Sequence, residues 1–535
     1  MIRACIKIYF PYFISVLLFF CFLFYFNKMD VFPFFLGESF CIYATLLYFE
    51  KRIIRGIIWS SFMVIAGFQM ASLYTSGDLI IPLTLSNAGE YKALGFNLLI
   101  KLFFIVFIFF LFSLPLYSRV FYCYNPYYKF ICLMAVCLPL INGPLLMFGK
   151  TLYAYYQQLT FSPSYNYPEI AKKYLKIGIW NNSSSLLKVT KPNIIIIFAE
   201  GMSYSVIDSV NNKGLKLTPN IDTLMDNSLV FRNYYNHTAA TFRGLRGQLT
   251  SAYQYKDGIG AHNDGFFEIS NEKVKATFDK RLVSLPEILS SSGYKTIFLS
   301  STEKNSTLNA MLKTLSFDEV YGMGDFEFYQ NDRMTDKQTF LSLKKLVEKN
   351  KGNNFFIGVY TSGTHHGMDS PNLRYKDGMN SYYNKFYNFD HQLGEFINYL
   401  DSNGLMENTL LIITADHATF PTPAFNRAFD TDAKYFIDTI PLIIFGAGIK
   451  HHIYDAKGAN SLALAPTILN ILNINNRPNY FLGCSLLDVK CNSRFYNISA
   501  IGNSFFMTGP EKYPNYNVKE LNVSEEILNF YNVSG

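Results

Sequence analysis

Glu200, Asp416 and His417 are the residues of this chain whose types and positions could together hold a metal ion. Glu200 closes the apolar run 193–199, and Asp416-His417 closes a second run, 409–414. Both runs are short, and the first is rich in β-branched residues, so they read as strands rather than helices. In an open α/β sheet, ligands bind just outside the carboxyl ends of parallel strands, so two strand ends can bring these residues to one place. Two carboxylates and an imidazole suit Mn²⁺, Mg²⁺ or Zn²⁺. A hydroxyl beside such an ion becomes a nucleophile when its proton is drawn off. Thr241, in the polar stretch 237–244, can supply one, with Thr238, Ser203 and Ser205 as alternatives. Loop hydroxyls more often cap helices or shape turns, so residue type alone does not choose among the four.

Six segments extend the pattern in order: KPNIIIIFAEGMS (191–203), LTPNIDTLMDNSLVFRNYYNH (217–237), SLPEILSSSGYKTIFLSS (284–301), YTSGTHHG (360–367), ENTLLIITADH (407–417), and IPLIIFGAGI followed by LALAPTILNILNI (440–474). Together they resemble the alkaline phosphatase/sulfatase superfamily, and within it the membrane-bound lipoteichoic acid synthase-like enzymes. The resemblance covers about residues 190 to 490, and its membrane part extends to the N-terminus. It implies an exported α/β domain with a mostly parallel sheet between helices. It also implies one divalent metal, Mn or Mg before Zn, on Glu200, Asp416, His417 and Thr241. Thr241 becomes the preferred nucleophile because the family places that residue three before a small one, here Gly244.

The chemistry implied is a two-step displacement. Thr241 attacks the phosphate of a phospholipid donor and releases diacylglycerol, and a hydroxyl of a glycan or glycolipid acceptor then attacks the phosphodiester on the enzyme. His365 falls where the family's loop histidine lies and would give or take a proton, with His366 beside it to bind substrate. His237 and His262 are further histidines that could approach. Arg243 and Arg246, spaced i, i+3 after Thr241, would line one side of a helix whose first N–H groups face phosphate. They read either as ligands for substrate oxyanions or as solvated surface charges.

Thr241-Phe242-Arg243-Gly244-Leu245 carries neither a residue convertible to formylglycine nor the proline of true sulfatases, which speaks against sulfate-ester hydrolysis. The stretch also departs from the sequences that follow the threonine in lipoteichoic acid synthases and in phosphoethanolamine transferases. The transferred group is therefore left open between phosphoglycerol and phosphoethanolamine. A sulfatase-like phosphodiesterase and a non-catalytic envelope binding module are the alternatives. The complete donor set speaks against the second of these.

These residues need a scaffold, and composition supplies its outline. At 535 residues, 50% hydrophobic and 16% charged, the chain is too apolar for a purely soluble enzyme. Apolar stretches near 9–27, 31–49, 56–74, 97–117 and 130–149 are each long enough to cross a bilayer core of about 30 Å. Arg3 and Lys7, then Lys51, Arg52 and Arg55, then Arg119 and Lys129 flank alternate ends of these spans, which predicts cytoplasmic loops there. Five spans starting inside end outside, which predicts a multi-pass protein of the bacterial cytoplasmic membrane with its catalytic domain on the far side. Glu38, inside the second span, is a functional candidate or a side chain reaching water. The net charge of +7 lies largely in the predicted cytoplasmic loops, where anionic lipid suffices as a partner, so no nucleic acid is implied.

The expected organisation is a five-helix transmembrane domain over 1–150, a linker over 151–190, the catalytic domain over 191–490 and a tail over 491–535. The tail is either packed on that domain or partly irregular. In the linker, EIAKKYLKIGI reads as a short amphipathic helix. Six of the eight cysteines fall in or near the membrane part as small apolar residues. Cys484 and Cys491 lie in the exported part, where a structural disulfide is more plausible than reactive thiols.

Overall fold

A computed structural model describes residues 2–46, 49, 51–86, 96–117, 142–160, 173–178, 186–211, 213–254, 282–327, 333–433, 436–488, 490, 493–501, 504–509 and 526–527. The chain divides into two compact units, Met1–Thr160 with Pro421–Asn426, and Phe161–Phe420 with Arg427–Gly535.

In the first unit, helices run over Ile2–Tyr25 (α1), Phe32–Leu46 (α2), Arg52–Ser76 (α3), Phe96–Ser113 (α4) and Pro144–Thr160 (α5). Three helical stretches among the described residues are long and apolar enough to cross a membrane: Met29–Leu46, Arg52–Ser76 and Asn97–Tyr117. Phe10–Tyr25 is a shorter apolar helix. The expected fifth span falls largely on residues 118–141, outside the described residues, and α5 continues to Thr160. Phe19, Phe35, Trp59, Phe62 and Phe109 fill the centre of this unit, whereas Phe103 and Phe104 face outward. Ser60 and Ser113 join α3 to α4 by a hydroxyl bond of 2.6 Å, a common polar link between apolar helices. Glu38 is buried, and its carboxylate accepts from the backbone N–H groups of Leu145 and Leu146 at 2.8 and 2.9 Å. It therefore does not reach water. It satisfies N–H groups that the first turn of α5 would otherwise leave unpaired.

The second unit is built on one eight-stranded sheet. Its strands are Asn193–Ala199 (β1), Leu229–Arg232 (β2), Lys295–Glu303 (β3), Glu319–Met323 (β4), Phe355–Thr361 (β5), Thr409–Ala415 (β6), Leu442–Gly446 (β7) and His452–Asp455 (β8). Their spatial order is β4-β3-β5-β1-β6-β7-β2-β8. Every neighbouring pair is parallel except the two made by β7, so the sheet is mixed, with one reversed strand. β5 and β6 are buried along their whole length, as strands covered on both faces must be.

Three helices carry site residues. Thr241–Thr250 is α6, Asp336–Lys349 is α7 and Ser381–Ser402 is α8. Thr335 and Gln338 form a capping box that starts α7, and Asn380 caps α8. Phe340 of α7 packs its ring against Phe389 and Phe396 of α8. The expected linker helix gives way at its end to a strand, Lys176–Ile177, paired with Pro478–Asn479, because the backbone groups there find a cross-strand partner. In the tail, Ile498–Ile501 and Ser504–Met507 form an antiparallel pair. Ser499 and Ala500 of that pair donate to the carbonyls of Asn236 and His237. Cys484 is disulfide-bonded, and Cys491 lies outside the described residues.

Candidate functional site

β1 lies between β5 and β6, with Ala199 in register with Thr361 on one side and Ala415 on the other. The next residues, Glu200 and Asp416, therefore emerge side by side from adjacent parallel strands. The Asp416 N–H donates to the Ala199 carbonyl at 3.2 Å and extends the pairing one step further. His417 Nε2 lies 3.3 Å from Glu200 Oε1 and 3.5 Å from Asp416 Oδ2. All three side chains are buried, and they offer ligand atoms within 4.8 Å of one another.

Each donor is aimed by a second contact. Asp416 Oδ1 accepts from the N–H groups of Gly201 and His417, both at 2.8 Å, while Oδ2 is buried and accepts no hydrogen bond. His417 Nδ1 lies 2.8 Å from the Ala418 carbonyl, which holds a proton on that nitrogen and turns Nε2 toward the two carboxylates. Glu200 Oε2 accepts from the Thr241 hydroxyl at 3.0 Å and from the Tyr360 phenol, leaving Oε1 toward His417. One oriented oxygen and one open oxygen on Asp416, beside an imidazole nitrogen that a cation can claim in place of a proton, fit a small divalent cation.

The electrostatics fit it as well. Burial raises the Glu200 carboxyl, but the charge and hydrogen bond of His417 outweigh burial and hold it well below the usual range. Burial and the neighbouring Glu200 charge push Asp416 well above that range. Burial works to lower His417, yet Asp416 and Glu200 carry it up to about 9. Two buried carboxylates sharing one imidazole repel each other, and a divalent cation would relieve that repulsion.

Thr241 opens α6, preceded by Ala240 at φ 72° and ψ 145°, a region that residues with a Cβ avoid. A methyl at Gly244 would stand 2.2 Å from the Asp416 carbonyl oxygen, and one at Gly247 would stand 2.0 Å from His237 Nε2. Glycine at 244 lets the helix lie directly on the end of β6, and glycine at 247 leaves room for the His237 ring. Gln248 then clips it there, donating to the carbonyls of Ala415 and Asp416 at 2.9 and 3.1 Å. Of the four hydroxyls considered from sequence, Thr241 is the one bonded to a carboxylate of the cluster among the described residues. The Ser203 hydroxyl instead accepts from the Thr419 N–H, while the Ser203 N–H donates to the Thr419 hydroxyl.

Arg243 and Arg246 are both buried, so the surface-charge reading fails for them. They lie on a helix enclosed by the sheet end and the loops around it. His237 is buried beneath that helix with Nδ1 2.6 Å from the Ser461 hydroxyl, a packing position rather than a site position. His262 lies outside the described residues.

The loop after β5 carries His365 and His366. Thr364 donates its hydroxyl to the Glu200 carbonyl at 2.6 Å, Asp336 accepts the Gly363 N–H at 3.0 Å, and Lys385 donates to the His365 carbonyl at 3.2 Å. Burial lowers His365, Glu200 opposes that shift, and the Arg333 charge adds to it. Burial also brings Lys385 down to about 7. The His366 ring sits 5.0 Å from that of Phe420, which stacks at 4.0 Å on Phe436, itself 5.0 Å from His417.

Tyr360, Thr364, Asp336 and Lys385 escaped the sequence reading. For Tyr360 a signal existed: a strand buried throughout leaves a terminal phenol needing a buried acceptor. Asp336 and Lys385 reach the loop from α7 and α8, and nothing local marks them.

A mixed α/β sheet with this donor cluster and helix-start hydroxyl at its strand ends defines an alkaline-phosphatase-like domain. The family model described as Sulfatase matches residues 192–474, over half of the chain, and the chain belongs to that family. It is 22% identical over 364 residues to lipoteichoic acid synthase 2 of Bacillus subtilis (strain 168), covering 63% of this chain and 54% of that protein. The chain thus spans about half of that relative's length. The crystal structure of the lipoteichoic acid synthase LtaP from Listeria monocytogenes aligns with a TM-score of 0.50 at 17% identity. That alignment covers 70% of this chain and 96% of that one. An alkaline phosphatase superfamily protein from Vibrio parahaemolyticus aligns at 0.49 and 18% identity, covering 71% and 96%.

Proposed function

We propose that the protein is a membrane-anchored, metal-dependent transferase. It moves a phosphoglycerol or phosphoethanolamine group from a phospholipid to an envelope glycan or glycolipid through a covalent bond to Thr241. The observation that carries this reading is the Thr241 hydroxyl, 3.0 Å from Glu200 Oε2 at the start of α6, beside the donors Glu200, Asp416 and His417. The similarity to lipoteichoic acid synthase 2 and the apolar helices of the first unit support the lipid donor and the membrane setting. The catalytic domain then faces the outside of a bacterial cytoplasmic membrane.

A divalent cation held by Glu200, Asp416 and His417 supplies charge that acidifies the Thr241 hydroxyl and neutralises phosphoryl oxygens. Thr241 Oγ1 attacks the donor phosphorus as its proton passes along its hydrogen bond to Glu200 Oε2, and the phosphorus–oxygen bond to diacylglycerol breaks. The released oxygen takes a proton from His365. In the second half the acceptor hydroxyl gives a proton to the same histidine and attacks phosphorus, and the bond to Thr241 breaks as its oxygen recovers the proton from Glu200 Oε2. The first N–H groups of α6 favour phosphoryl oxygens, and His366 borders the substrate.

The test uses a phospholipid labelled in its head group. The label should be trapped on the peptide 236–243 of the wild-type protein, and Thr241→Ala should lower turnover by several orders of magnitude at unchanged thermal stability. Near-normal turnover in Thr241→Ala, or label on Thr238, Ser203 or Ser205, would sink the assignment.

A further inference from the structure

Glu200 Oε2 carries two hydroxyls at once, that of Thr241 at 3.0 Å and the phenol of Tyr360. A carboxylate oxygen has two lone-pair directions, so Oε2 is saturated and its partner Oε1 is left toward His417 Nε2, 3.3 Å away. Tyr360 is itself held firmly. It lies on β5 in register with Phe198 of β1 and Ser300 of β3, and it is only 3% exposed. Its ring therefore cannot follow Glu200 if that side chain turns, and the phenol acts as a fixed stop.

We propose that Tyr360 is a positioning residue for the cation site. Its phenol sets the rotation of the Glu200 carboxylate, dedicating Oε1 to the ion and Oε2 to the Thr241 hydroxyl. The inference rests on reading Glu200, Asp416 and His417 as a cation site, and goes beyond it by naming what divides the two oxygens between metal and nucleophile. Without the phenol, Glu200 can rotate and offer both oxygens to the ion, or Oε2 can turn away from Thr241. Outer partners of ligating carboxylates affect metal affinity by about tenfold to a hundredfold, so the effect falls on binding as well as on rate.

The experiment measures Mn²⁺ binding by calorimetry to the full-length protein in detergent. Tyr360→Phe, which keeps the ring and its packing, should weaken Mn²⁺ binding by about tenfold or more. Tyr253→Phe serves as the control, because that buried phenol donates to a backbone carbonyl, at Ile498, and its loss should leave the affinity within about twofold. Asp416→Asn should abolish binding. Wild-type affinity in Tyr360→Phe, with binding still lost in Asp416→Asn, overturns the positioning role alone. Equal binding by wild type and Asp416→Asn overturns the cation site and this inference with it. Should Tyr360→Phe not fold, 3-fluorotyrosine placed at 360 gives a second reading. Its fluorine resonance should shift on adding Mg²⁺ while one at 253 stays, and an unmoved resonance at 360 overturns the proposal.

Discussion

Single side chains in this protein divide into those gathered around Glu200, Asp416 and His417 and those that resemble site residues but serve packing. His237 belongs to the second group, although its place four residues before Thr241 made it a candidate. Burial, helped by the Arg243 charge, takes its imidazole from the ordinary 6.5 down to about 3, so it stays neutral in the folded protein. The unfolded chain protonates this histidine near its ordinary value, whereas the folded chain resists until far lower pH. Folding stability attached to His237 is thus intact above about pH 6.5 and is lost as pH falls toward 3, at up to about 1.4 kcal/mol per pH unit. His237→Gln should be less stable than wild type at pH 7.5, since it disturbs the Ser461 contact. Its loss of stability between pH 6.5 and 5 should be smaller than that of wild type by about 2 kcal/mol. Urea unfolding at the two pH values checks this, and parallel acid limbs would show that the imidazole is not the group responsible.

Elements, more than residues, decide whether the nucleophile meets the carboxylates. The site exists because α6 lies on the end of β6, and Gly244 removes the side chain that would hold it off. Gly244→Ala places a methyl against the Asp416 backbone, which cannot give way as a flexible side chain would. The helix must shift, and overpacking of this kind costs about 1–3 kcal/mol. Displacement of the attacking oxygen by about 1 Å can cost about a hundredfold in rate. Gly244→Ala should therefore lose about a hundredfold or more in turnover while still folding, read by activity beside the urea midpoint. Full activity would mean that α6 does not need its present closeness to β6. The small residue after the nucleophile, noticed in the sequence as a family feature, thus has a steric reason here.

At the scale of the whole molecule, the first unit carries apolar helices with outward-facing phenylalanines, and the second the eight-stranded sheet. The arrangement of positive residues predicts which side of a bilayer each belongs to. A thiol introduced near Asn182 should react with a membrane-impermeant reagent applied to intact cells, and one near Lys51 should react only after permeabilisation. The reverse pattern would refute five spans with an exported domain. Arg55, counted among those positive residues, is buried and donates to the Phe49 carbonyl at 3.0 Å, so it also secures the start of α3.

Much of this protein is determined by local patterns. The strand runs ending at Glu200 and Asp416, the helical apolar stretches and the placement of donors at strand ends follow from residue periodicity, because burial on a strand or helix imposes its own spacing. Tertiary structure alone decided the rest. Register between β1 and β6 made Glu200 and Asp416 neighbours across more than two hundred residues. The fit of α6 to the sheet brought the Thr241 hydroxyl to Glu200 and buried Arg243 and Arg246. α7 and α8 brought Asp336 and Lys385 to the His365 loop, and β5 brought Tyr360 to Glu200. Such contacts join segments distant in the chain, and a side chain's polarity does not say which distant backbone or carboxylate will satisfy it once water is excluded.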